Sequence, residues 1–154
     1  MEKIIQHFKT LLPCEQFVVT GSYSFLVMGL TKKAADIDIV IVNATPEAIS
    51  ILDRLQESEE SKHLKNEYVG QSKKAYRIMH NSVKVDIFID TVKMECFELA
   101  NGLLVSTIPA TIKAKKSYSR LKDWLQLRTC AELFYKQSEF DAFLNQETIK
   151  LQNK

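Results

Sequence analysis

The chain has 154 residues, 45% hydrophobic and 26% charged, with a net charge of +2. That length gives room for one core, so a single domain over residues 1–154 is expected, and the net charge is too small to argue for nonspecific nucleic-acid binding. Cys14, Cys96 and Cys130 show no metal spacing and read as reduced thiols of a cytoplasmic protein, with neither a membrane span nor a secretory start.

In chain order, residues 2–12 carry Ile4, Ile5, Phe8, Leu11 and Leu12 at helical spacing and stop at Pro13. Phe17-Val18-Val19 reads as a short buried strand ending at Gly21, and 22–29 as a helix. Residues 36–42 form the next strand. Thr45-Pro46 is an N-cap followed by proline at the first helical position, opening a helix to about residue 58. Glu57 to Lys62 reads as a solvated helix end or loop. Strands are expected at 66–70, 75–80 and 83–89, the last two joined by a turn at Asn81-Ser82. Asn101-Gly102 is a stronger hairpin signal, between short strands at 96–99 and 103–106. Helices are expected at 109–118, 120–136 and 139–150, with Leu121, Trp124, Leu125 and Phe134 among the core candidates. The class is α/β (α+β), a mixed sheet flanked by helices with a small helical C-terminal portion from about residue 109.

The chemistry concentrates in two strands. Alternate residues of a strand share a face, so Asp36 and Asp38 project from one side and Ile37, Ile39 and Ile41 from the other. Two carboxylates that close resist joint ionisation unless a cation is shared. Oxygen-only ligands of high charge suit Mg, with Mn a substitute, rather than Zn or Cu. The strand at 83–89 alternates likewise, with Lys84, Asp86, Phe88 and Asp90 opposite Val83, Val85, Ile87 and Ile89. If it pairs beside the first, Asp86 joins Asp36 and Asp38; Asp90, at the strand end, is its rival. Blander readings exist for each part. Gly21-Ser22 is also a plain turn with Ser22 as N-cap, and Asp86 also fits the wet side of a half-buried sheet.

The ordered set of Gly21-Ser22, a helix, Asp36-Ile37-Asp38 and a later Asp86 resembles the DNA polymerase beta-type nucleotidyltransferase superfamily. The resemblance covers roughly residues 14–90 and, more weakly, continues to about 135. It implies a nucleotidyltransferase fold in which Gly21 and Ser22 hold the phosphates of a nucleoside triphosphate. It further implies that Asp36 and Asp38 bind metal, and that Asp86 completes the metal site and helps activate an acceptor hydroxyl. Pro109 to Asp123 resembles the Lys…Arg-x-Lys-Asp stretch of small prokaryotic members, among them abortive-infection toxin-like nucleotidyltransferases. On that resemblance Lys113 contacts phosphate, with Lys116 as runner-up. The chain departs from the pattern at Gln126, where the relatives carry an acidic residue.

The expected activity is therefore Mg-dependent transfer of a nucleoside monophosphate to an unread acceptor (small molecule, protein or RNA). A homodimer or another partner would complete the acceptor pocket, and an antitoxin is the expected partner if the chain is a toxin. The alternatives are a toxin of a toxin–antitoxin pair and a degenerate nucleotide-binding scaffold. His7, His63 and His80 are dispersed, with no evident relation to one another.

Overall fold

The computed structural model describes residues 1–67, 74–118, 121, 123 and 125–128, leaving aside the side chains of 65–67 and 116–118. The chain divides after Thr111 into two units, Met1–Thr111 and Ile112–Lys154. The first holds α1 (Glu2–Leu11), β1 (Gln16–Thr20), α2 (Ser22–Val27), β2 (Ile37–Val42), α3 (Pro46–Leu55), α4 (Ser58–Glu67), β3 (Lys74–His80), β4 (Val83–Asp90), β5 (Cys96–Glu98) and β6 (Leu104–Ser106). Helix α5 (Ile108–Tyr118) runs across the division.

The six strands form one mixed sheet in the order β3-β4-β2-β1-β6-β5. Pairs β2–β4 and β1–β6 are parallel and the rest antiparallel. One face is apolar by strict alternation: Ile37, Ile39 and Ile41 of β2 and Val85, Ile87 and Ile89 of β4 join one core. Ile5 and Phe8 of α1, Leu12 just beyond it, and Ala48 and Leu52 of α3 cover that face. Burying such side chains stabilises by about 1.5–3 kcal/mol each, so this face contributes a large share of the stability of the first unit.

Local chemistry fixes the connections. Thr45 Oγ1 accepts the Ala48 N–H at 3.2 Å with Pro46 at the first helical position, as the sequence predicts for α3. Asn81 and Ser82 both have positive φ, 49° and 64°. That is the two-residue hairpin turn whose twist matches its strands. Asn101 Oδ1 accepts the Leu103 N–H at 3.1 Å and Gly102 has φ 82°, which turns β5 into β6.

Three expectations are corrected. The segment read as a solvated helix end or loop opens a separate helix, α4, which runs through 66–67, where a strand was expected; 68–70 lie outside the described residues. Its composition hides it. Leu64 and Ser61 are the buried positions, so there is little apolar periodicity to see, and its anchorage is the outer edge of β3. In the second unit Leu121 and Leu125 are exposed, whereas Asp123 and Leu127 are buried. Spaced by four, each pair marks one helical face, and the inward face is the second. The remaining core candidates of the C-terminal helices lie outside the described residues. Among the described residues, no helix is long and apolar enough to cross a membrane.

Candidate active site

β1 ends at Thr20, and Gly21 turns the chain into α2 with φ 67°. Gly21 itself is the N-cap; Ser22, expected in that role, is the first residue of a six-residue helix. The glycine is required twice over. Its φ lies where L side chains are rare, and a Cβ there would overlap Asp38 Oδ2 and come within 3.1 Å of Asp38 Cγ. The Gly21 backbone and the Asp38 carboxylate are thus in direct apposition.

Asp38 lies opposite Thr20 on one side and Asp86 on the other. Residues in lateral register share a face, so Asp38 and Asp86 stand side by side. Arg77 of β3 is opposite Asp86 in turn. Ser106 of β6 extends the row, its hydroxyl donating to Thr20 Oγ1 at 3.0 Å. A polar row of Arg77, Asp86, Asp38, Thr20 and Ser106 therefore crosses five strands of one face. At its far end the buried hydroxyls of Ser24, Ser106 and Thr111 satisfy one another, with Ser106 Oγ and Thr111 Oγ1 2.6 Å apart.

The carboxylates do not stand bare. Arg77 donates from Nε to Asp86 Oδ1 at 2.8 Å and from Nη2 to Asp86 Oδ2 at 2.9 Å, a bidentate pair buried on both sides. Its third nitrogen, Nη1, lies 3.3 Å from Glu60 Oε2 of α4. The Arg77 backbone is tied to the same region. Its N–H donates to Ser61 Oγ at 3.0 Å, and its carbonyl accepts the Glu57 N–H at 2.8 Å. Asp36, just before β2, pairs with Lys84 Nζ at 3.2 Å, where both side chains remain partly exposed (44% and 29%).

These two pairs differ greatly in what the loss of one partner would cost. Exposed ion pairs are worth about 0.2–1 kcal/mol. Removing one partner of a buried pair costs about 3–5 kcal/mol, because the other charge is left stranded in the interior.

Asp36 and Asp38 offer hard oxygen ligands that suit Mg, which is commonly held by one or two carboxylates together with substrate phosphates. Among the described residues, no three His, Cys, Asp or Glu side chains converge closely enough to hold an ion by themselves. The donors fit a two-carboxylate site filled out by phosphate better than a three-carboxylate cage. Lys113 is exposed on α5, past the division at Thr111, and is described with the second unit. There the buried pair is Lys115 with Asp123, at 3.5 Å. The side chain of Lys116 is outside the described residues. Asp90, the rival third acid, instead closes the turn after β4, its Oδ1 accepting the Thr91 N–H at 2.7 Å.

Sequence reasoning missed Arg77 and Glu60, although one signal was available. A two-residue turn at Asn81-Ser82 sets the register, and counting outward from it brings Arg77 opposite Asp86. It also missed that His7 and His80 stack, their ring centroids 4.9 Å apart, with Phe8 edge-on to both. A cavity of about 380 Å³ beside β3, lined in part by Asp53, Lys62, Lys74 and Tyr76, includes none of the site carboxylates. Compared with protein-family models, curated proteins and solved structures, the chain matches none.

Proposed function

We propose that the chain is a Mg-dependent nucleotidyltransferase that moves a nucleoside monophosphate from a nucleoside triphosphate to a hydroxyl acceptor. The observation that carries this reading is the apposition of Gly21, Asp38 and Asp86. Residues far apart in sequence, each expected to take part in one chemistry, meet at one place on one face of the sheet. The nucleotidyltransferase fold belongs to the same proposal; the mixed α/β sheet supports it.

In this reading Gly21 and Ser22 hold the phosphates, and the missing Cβ lets backbone and carboxylate approach together. Asp36 and Asp38 would hold Mg, which when bound neutralises charge on the phosphates and the leaving group. The acceptor hydroxyl releases its proton to solvent as its oxygen bonds to the α-phosphorus and the bond to the leaving pyrophosphate breaks, and positioning and charge neutralisation supply most of the acceleration. Asp86, with both oxygens engaged by Arg77, acts as a fixed negative charge beside Asp38 that orients the acceptor side of the site. Lys113 is proposed to reach the nucleotide from α5.

The test is a screen of nucleoside triphosphates with Mg, reading pyrophosphate release and label transfer to components of a lysate. Release that depends on Asp38 supports the reading. A second reading, a nucleotide-binding scaffold without turnover, is favoured by the Arg77–Asp86 pair, which supplies a protein cation where catalysis would want a reactive carboxylate. Tight nucleotide binding without any transfer would decide for it.

A further inference from the structure

We propose that Lys84 is the resident counter-ion of Asp36 and is displaced when a divalent cation binds, while Arg77 keeps its hold on Asp86. The inference rests on the nucleotidyltransferase reading of the site and assigns Lys84 and Arg77 different fates.

Lys84 is two residues before Asp86 on the same face of β4, and it faces Asp36 across the parallel β2–β4 pair. Its ammonium makes a single 3.2 Å contact with Asp36 Oδ2 from a half-open position. A flexible point charge of this kind is readily rehydrated, so an incoming cation takes over its carboxylate against little resistance. Arg77 is the opposite case. Two short hydrogen bonds hold Asp86, a contact from Glu60 holds the guanidinium, and α4 fixes the backbone behind it. A planar fork matched to a carboxylate and kept from water does not yield to an ion that can be held elsewhere. The cation therefore settles on Asp36 and Asp38, and at Asp36 it competes with Lys84. Asp86 remains outside its coordination. This explains how three acids lie close together while no three of them converge on one point among the described residues.

The experiment is titration of the full chain with Mn²⁺ in the presence of a saturating nonhydrolysable nucleoside triphosphate, whose phosphates complete the two-carboxylate site, followed by calorimetry and water-proton relaxation. Lys84→Met should tighten Mn²⁺ binding by about three- to tenfold, because a competing cation is gone. Lys84→Arg, which keeps the charge, should stay near the wild type. Asp38→Asn should weaken binding at least tenfold, and Asp86→Asn, checked first for a cooperative melt, should stay within about twofold. If Lys84→Met leaves affinity unchanged or weaker while Asp38→Asn abolishes it, the counter-ion role is overturned and the metal reading survives. If Asp86→Asn loses as much as Asp38→Asn, Arg77 does not keep its partner and the proposal is overturned in that half. If neither the wild type nor Lys84→Met binds Mn²⁺, both the inference and the reading beneath it are overturned.

Discussion

Arg77 grips Asp86 with two parallel hydrogen bonds, 2.8 and 2.9 Å long, in a site where both side chains are withdrawn from water. Such a pair is judged by what happens when half of it is removed. Arg77→Ala should lower stability by about 3–5 kcal/mol, since it strands a buried carboxylate. The double variant Arg77→Met, Asp86→Leu should recover most of that loss. Urea melts of the two proteins check the ordering, and a double variant no more stable than Arg77→Ala would show that packing, not charge, is at stake.

If the proposed nucleotidyltransferase activity holds, Asp86 should separate binding from turnover. Asp86→Asn should keep nucleotide affinity nearly intact while turnover falls by a factor on the order of hundreds or more, the pattern of an interaction made mainly in the transition state. Asp36→Asn and Asp38→Asn should impair both. Calorimetric nucleotide affinity set beside the rate of pyrophosphate release distinguishes the cases. Equal loss of binding in all three variants would make Asp86 an ordinary ligand.

Metal should stabilise the fold. Mg or Mn relieves repulsion among the carboxylates and binds only the native state, so it should raise Tm in a concentration-dependent way. The rise should vanish in the Asp36→Asn, Asp38→Asn double variant. A shift that persists there puts the ion elsewhere.

Gly21 is a sensitive position. Gly21→Ala places a methyl group against Asp38 Oδ2 at a φ of 67°, so it should cost about 1–3 kcal/mol of stability. Gly21→Val should reduce nucleotide affinity by more than its effect on folding. Calorimetry on the fraction that remains folded measures this, and unchanged affinity would reduce the turn to a structural role.

Tyr76 gives the fold a pH dependence. Burial, reinforced by its hydrogen bond to Asp53 Oδ1 at 3.0 Å, pushes its hydroxyl up to about 12 from an ordinary 10. The folded state thus holds this proton more tightly than the unfolded state. The stabilisation is full below pH 10 and is lost as pH rises through about 12. That shift sets a ceiling of about 3 kcal/mol. Tyr76→Phe should flatten the stability curve in that alkaline window; a wild-type curve already flat there would contradict the assignment.

Where a pattern of side chains alone decides structure, the sequence was readable. The alternation of Ile37, Ile39 and Ile41 with Asp36 and Asp38 settled which face is core, and the turn residues Asn81 and Ser82 closed their hairpin. Helix α4 was not readable because it has almost no apolar stripe. Its support is tertiary, given by Arg77 and the β3 edge to Ser61 and Glu57. The site was legible in its acids and illegible in their counter-ions. Motif spacing says nothing of Glu60, which reaches Arg77 from another element, and the stack of His7 on His80 likewise depends on how α1 lies over the sheet.

The outermost strand of a sheet is ordinarily a template on which another chain can add itself. Here β3 occupies that position, and at its middle the chain has covered its own edge, with Ser61 taking the Arg77 N–H and Glu57 filling the carbonyl. Arg77 consequently ties two failures together. Any loosening of α4 frees the guanidinium from Glu60 and, in the same motion, bares a strand edge to self-association. For this protein, damage to the site and the onset of aggregation begin with one event.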